Sequence, residues 1–200
     1  MPNIKAEINR RINNNEKVII ELGPGNIKSD KNAIGIDIFN KDSVDFIYDL
    51  SNGLQFLDDN TVDLIISNHF LEHMDNLELF MSEIYRVLKK GGKKIGTVPH
   101  FSNPYFYSDY THKNFWGMYT LLYFSDTQYF KRDVPLYYNS INFQINKIRL
   151  VFRSPFIIRH YINKVIDKIF NSNKYLMEFY EENLTGLISC YEIKFEIEKK

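Results

Sequence analysis

Up to residue 100 the chain alternates short apolar runs with polar or helix-patterned stretches. The runs fall at 18–22, 34–37, 45–50, 62–67 and 94–98. Short apolar runs bounded by turn formers read as buried strands. Strands spaced by such stretches predict a parallel sheet with crossovers. Over 76–90, Leu77, Phe80, Ile84 and Leu88 share one face of a predicted helix. Lys89 and Lys90 suit its C-terminal end, and Gly91-Gly92 predicts its stop. Residues 1–16 are polar and charged, and predict a short lead-in helix that packs late or frays.

After Pro99 the texture changes. Residues 101–140 are crowded with tyrosine and phenylalanine, include Trp116, and predict an aromatic-rich insertion over the sheet's edge. Residues 142–153 alternate like a strand. Residues 155–170 predict an amphipathic helix, with Ile158, Ile162, Val165, Ile166 and Ile169 on one side and Arg159, Lys164, Asp167 and Lys168 on the other. Its apolar side is expected to pack on the core, with contact to a membrane surface as the alternative. From Cys190 to Glu198, Tyr191, Ile193, Phe195 and Ile197 alternate with charges, as in a half-exposed strand. No repeat or linker interrupts the chain, so residues 1–200 are expected to form one domain.

Composition narrows the function. The 200 residues are 44% hydrophobic and 25% charged, as in a soluble globular domain. Lys+Arg and Asp+Glu both number 25, so no net field recruits nucleic acid or an acidic membrane. A single cysteine, Cys190, allows no intrachain disulfide and fits a reducing cytoplasm. No signal peptide or transmembrane segment is expected.

The first run leads into the candidate chemistry. Val18-Ile19-Ile20-Glu21-Leu22 is followed by Gly23-Pro24-Gly25. Glycines permit a sharp turn and a close ligand approach. A turn of this kind at the carboxyl end of a buried strand is where open α/β sheets bind nucleotide-like ligands. A dinucleotide site needs a helix N-terminus behind the glycines to hold the pyrophosphate. Only Asn26 to Ala33 separate Gly25 from the next apolar run. That stretch is shorter than the usual crossover of about ten to twelve residues, so it predicts a loop or a single turn.

Glu21-x-Gly23-x-Gly25 resembles the first motif of class I S-adenosylmethionine-dependent methyltransferases, with Ile27 where the family prefers a third glycine. Val62 to His73 and Tyr85 to Gly92 resemble later motifs of the same family, of the type 11-like kind. The resemblance spans about residues 17–115 and implies a Rossmann-like fold. That fold is a mostly parallel seven-stranded sheet with helices on both faces and a late antiparallel pair. It implies S-adenosyl-L-methionine as cofactor, held by Glu21, Gly23, Gly25, Asp37 with its neighbour Ile38, Asp49, Leu50, Asn68 and His69. Asp37 would accept the ribose hydroxyls, Asp49 and Leu50 would flank the adenine, and Glu21 would lie near the methionine end. A turn-capping acid is the competing reading for Glu21, Asp37 and Asp49.

Pro99-His100 and Asp109-Tyr110-Thr111-His112 resemble a bacterial subgroup acting in surface-glycan and small-molecule pathways, where the second segment usually reads Asp-Pro-Thr-His. This implies O-methylation of a sugar or other small polar metabolite. His112, or else His100, would serve as general base, since a histidine titrates near working pH and an alcohol must lose its proton to attack. His73 reads as a loop anchor. The rivals are an N-methyltransferase, a non-catalytic partner protein that binds the cofactor, and a metal site made by His69, His100 and His112. No metal is expected. The other partner expectations are a small-molecule or glycan acceptor, no nucleic acid, and a possible homodimer.

Overall fold

The computed structural model describes residues 4–135 and 141–200. Part of the aromatic stretch, 136–140, lies outside the described residues. Seven strands form one sheet in the order β3-β2-β1-β4-β5-β7-β6. They are β1 (Ile19–Leu22), β2 (Ile34–Asp37), β3 (Phe46–Ile47), β4 (Val62–Asn68), β5 (Leu88–Pro99), β6 (Phe143–Val151) and β7 (Glu192–Lys199). The five apolar runs of the first half all supply strands, and the first five strands pair in parallel. β7 runs antiparallel between β5 and β6, which makes the sheet mixed, with the late antiparallel pair that the resemblance implies.

The helices are α1 (Ile4–Asn13), α2 (Leu77–Val87), α3 (Ile157–Phe170) and α4 (Lys174–Asn183). The lead-in helix is docked, with Ile4 and Ile8 buried. In α2 the Asn76 side chain caps the first turn by accepting from Leu79 N at 2.9 Å. Phe80, Met81, Ile84 and Val87 then point into the core. The helix stops at Val87, before the glycines expected to stop it, because Leu88 is already extended (φ −66°, ψ 138°). Gly91 (φ 75°) and Gly92 act four residues later, inside β5, where a Cβ on Gly92 would lie 2.8 Å from Lys89 O.

The two faces of the sheet are covered unequally. Side chains alternate along each strand, so Ile20, Leu22, Ile36 and Ile65 face one side. There they share a core with buried residues of all four helices. Ile19 and Ile66 face the other side, where they cluster with Ala33 and partly with Leu64 and Ile95. No helical residue joins that second cluster among the described residues. The loop 23–33 lies against it, because the chain between β1 and β2 is too short for a crossover helix. The expected helices on both faces are therefore reduced here to helices on one face and a loop on part of the other.

The aromatic stretch is core as much as cover. Trp116, Met118, Leu121, Leu122 and Phe124 are buried, and the Trp116 ring lies parallel to Phe195, with centroids 6.2 Å apart. Tyr105, Tyr107, Tyr110 and Phe115 remain exposed. Lys94, the first residue of the 94–98 run, is fully buried. Its Nζ donates to Ser67 Oγ and Ile95 O, each at 2.6 Å, and burial pushes its pKa down to about 7.

Candidate active site

The strand order reverses at β1, with β2 on one side and β4 on the other. In open α/β sheets a crevice forms at the carboxyl ends of the strands at such a point. The turn after β1 and the loop after β4 border it. Gly23 and Gly25 adopt φ values of 62° and 64°, which strongly favour glycine. A Cβ on Gly23 would sit 2.8 Å from the Phe70 ring, whereas one on Gly25 would meet nothing within 4 Å. The Gly25 backbone thus borders open space.

Glu21 is spent on the turn. It is buried and accepts from Ser29 N at 2.8 and 3.0 Å and from Ser29 Oγ at 2.7 Å. Asn68 Nδ2 donates to the same hydroxyl at 2.9 Å. These two predicted cofactor residues meet on Ser29 and hold the loop 23–33 against the sheet. Ser29 was not legible as a site residue, since nothing in a polar loop marks the serine that an upstream acid will bind.

Asp37 caps its own turn through Oδ1, which accepts from Phe39 N at 3.1 Å. Ile38 beside it is exposed. Asp49 caps the short 3₁₀ turn Leu50–Asn52 by accepting from Ser51 N at 3.0 Å. Its bonds to Ser51 hold its pKa below the ordinary carboxylate value. Leu50 is buried beneath that turn. The turn-capping reading of Glu21, Asp37 and Asp49 is thus realised in all three, and Asp37 and Asp49 remain accessible.

The loop after β4 carries a charged cluster. His69 takes a left-handed backbone (φ 52°) and its N–H donates to Thr97 O at 2.9 Å. Its ring lies 3.3 Å from Glu192 through Nε2 and 3.4 Å from Glu72 through Nδ1. Bonds to Glu192 and then Glu72 raise its pKa to about 9, against some loss from burial. His69 is therefore an imidazolium at neutral pH. Burial pushes the Glu192 carboxyl up, but His69, Arg153 and Lys194 outweigh it and hold its pKa below the ordinary value. Arg153 reaches Glu192 at 2.5 Å. Sequence reasoning missed Glu192, which sits on β7 and reaches this site only through sheet pairing with Pro99.

His112 stands next to this cluster. Lys113 N and Asn114 N both donate to Glu72 O, at 2.8 and 3.1 Å, and the rings of His73 and His112 are 5.0 Å apart. Thr111 Oγ1 donates to Asp109 at 2.5 Å, so it accepts from His73 Nδ1 at 3.0 Å. This anchors His73 in the loop, as its sequence context suggests. His112 Nδ1 faces Phe106 O at 2.9 Å. A carbonyl can only accept, so Nδ1 carries the hydrogen, and Nε2 lies 3.6 Å from Asp109 Oδ2.

His100 is not available as a base. It is completely buried; Nδ1 accepts from Ser102 N at 3.0 Å, and Nε2 faces Glu181 at 2.8 Å. The expected alternative base is instead a core residue joining β5 to α4. The histidine trio weighed as a metal site is not assembled either, since His100 belongs to this separate network. Glu72, His73 and His112 do converge, with ligand atoms within 4.8 Å of one another. Both oxygens of the buried Glu72 carboxylate lack a hydrogen-bond partner, and His69 Nδ1 lies 3.4 Å from Oε1.

Residues 9–95 match the family model described as a methyltransferase domain. No curated protein sequence matches the chain. Among solved structures, the chain is similar to a SAM-dependent methyltransferase from Archaeoglobus fulgidus. The identity is 19%, coverage is 98% of this chain and 93% of that one, and the TM-score is 0.50. It is also similar to geranyl diphosphate C-methyltransferase from Streptomyces coelicolor, solved with S-adenosyl-L-homocysteine. There the identity is 11%, coverage 98% and 77%, and the TM-score 0.53. Phosphoethanolamine N-methyltransferase 2 from Haemonchus contortus, solved with S-adenosyl-L-methionine, shares 12% identity over 92% of this chain and 48% of that one, with a TM-score of 0.52. These likenesses show a shared fold. The matched methyltransferase domain covers residues 9–95, less than half of the chain, and the strand order with a glycine turn at the switch point gives the fold its structural neighbours share.

Proposed function

We propose that this enzyme methylates a hydroxyl oxygen of a sugar or other small polar metabolite, with S-adenosyl-L-methionine as donor and His112 as general base. The chain's own residues fit such a donor. The backbone at Gly25 borders open space that admits a ligand, Asp37 has Oδ2 left for ribose hydroxyls, and exposed Ile38 offers apolar cover for a base. Glu21 and Asn68 act through Ser29 by fixing the loop. The bound donor supplies an electrophilic methyl on a sulfonium, which leaves as a neutral thioether.

The observation that carries the reading is the tautomer of His112. Its Nδ1–H is fixed to Phe106 O, so Nε2 can take the acceptor's proton as the new C–O bond forms and the S–CH₃ bond breaks. His69 cannot do this while its two carboxylates keep it protonated. Asp109 Oδ2 lies 3.6 Å from His112 Nε2. Exposed Tyr107 and Phe115 beside the Phe106–His112 contact offer faces on which a sugar can stack.

The test is methyl transfer from isotope-labelled cofactor to a panel of nucleotide-sugars and glycans, read by mass spectrometry. With an acceptor in hand, His112→Asn should lower kcat by about 10²–10⁴ and leave cofactor affinity nearly unchanged. A raised KM with kcat preserved would reduce His112 to a loop-fixing residue.

A further inference from the structure

The apolar side of α3 faces solvent. Ile158, Ile162 and Val165 are 79%, 53% and 58% exposed, and Ile157, Tyr161 and Ile169 are exposed with them. The helix is held all the same. Arg149 donates to Asp167 at 2.5 Å. Asn171 accepts from Leu150 N at 2.9 Å and donates to Leu150 O at 2.8 Å. Asn163 and Phe170 are buried. The sheet therefore grips the side that carries Asn163 and Asp167, and the isoleucines point away, the inverse of a core helix. At 3.6 residues per turn, Tyr161, Val165, Ile158, Ile169 and Ile162 fall within an arc of about 100°. Lys164 and Lys168 border that arc on one side and Arg159 on the other.

We propose that α3 is an interfacial helix that docks the enzyme on a membrane surface rich in anionic lipid. An apolar arc rimmed by cations settles into the boundary between headgroups and acyl chains, and gains from anionic lipid. The only acid of α3, Asp167, is already taken by Arg149, so this face offers cations alone. A second copy packed α3 against α3 would set Lys164 and Lys168 of both protomers at one seam with no α3 acid to meet them, which disfavours self-pairing. Arg149 links α3 to the helix-free half of the sheet, where Lys147 and Lys194 are exposed. With a formal net charge of zero, the attraction is local to this side. β6 runs parallel to β5 and delivers the chain to α3 at the carboxyl edge, so docking brings the crevice's edge of the sheet toward the interface. The proposal does not depend on which acceptor is methylated.

Vesicle co-sedimentation of the intact protein tests it, comparing phosphatidylcholine alone with phosphatidylcholine containing about 30% phosphatidylserine at about 0.15 M salt. The protein should bind the anionic vesicles about tenfold or more tightly than the neutral ones. The double substitution Ile158→Glu/Ile162→Glu should abolish binding, and Lys164→Glu/Lys168→Glu should remove the preference for phosphatidylserine. Both variants should keep the parental thermal midpoint and cofactor affinity, since none of the four side chains is buried. No binding to anionic vesicles, or binding that survives Ile158→Glu/Ile162→Glu, overturns the proposal. So does a dimer that this double substitution separates in sedimentation velocity while vesicles stay unbound; the face would then belong to a second copy.

Discussion

Two helices with the same kind of sequence pattern end in opposite places. Both α2 and α3 carry an apolar stripe against a polar one. α2 buries its stripe through Phe80, Met81, Ile84 and Val87, while α3 turns its stripe out and buries Asn163 instead. The difference lies in what each helix connects. α2 joins β4 to β5, parallel strands side by side, and such a crossover must lie on the sheet's face. It is also bolted down by Arg86, which bonds Glu83 and the carbonyls of Leu54 and Leu57. α3 leaves the edge strand β6 on the way to β7, its antiparallel neighbour, so no crossover has to lie on the sheet's face, and its polar side supplies the anchors. Periodicity therefore specifies a helix and its stripe, and the connection decides which way the stripe faces.

The comparison breaks most visibly in stability. Ile84→Ala should cost about 2–5 kcal/mol, because it empties a filled core site. Ile162→Ala should stay within about 0.5 kcal/mol, as exposed positions do. Urea unfolding measures both, and equal losses would mean that α3 packs its stripe in solution.

Charge gives a finer version of the same contrast, between buried Lys94 on β5 and part-exposed His69 beyond β4. The folded pKa of His69 is raised to about 9, so its stabilisation is complete below about pH 6.5 and fades as pH rises toward 9. Lys94 is depressed to about 7, so its penalty is full below that value and fades toward about 10.5. The two oppose each other between pH 7 and 9. His69→Gln should therefore make stability rise more steeply with pH across that window, by no more than about 1 kcal/mol, since the ring is partly solvated. An unchanged slope would remove the ion pairs with Glu72 and Glu192 from the account.

Much of the fold was legible because its signals are local. The apolar runs, the Asn76 cap and the short link from Gly25 to Ile34 each act within a few residues, and the missing crossover helix follows from that link alone. What lay beyond the sequence depends on distant partners. Lys94 is buried because Phe195 and Ser67 arrive from other strands. Glu192 reaches His69 across 123 positions. His100 and His112 look alike as histidines in loops. Only the structure separates them, by burying one against Glu181 at 2.8 Å and leaving the other half-buried with Asp109 at 3.6 Å.

The central proposal is that the carboxyl edge at the β1–β4 switch point holds S-adenosyl-L-methionine against Asp37. Titration calorimetry with S-adenosyl-L-methionine and S-adenosyl-L-homocysteine tests it most directly, with Asp37→Ala and NAD as comparisons. Both sulfur ligands should bind, and Asp37→Ala should weaken them by about 1–3 kcal/mol, the worth of hydrogen bonds to a charged acceptor. Tight binding of NAD with neither sulfur ligand bound would contradict the account.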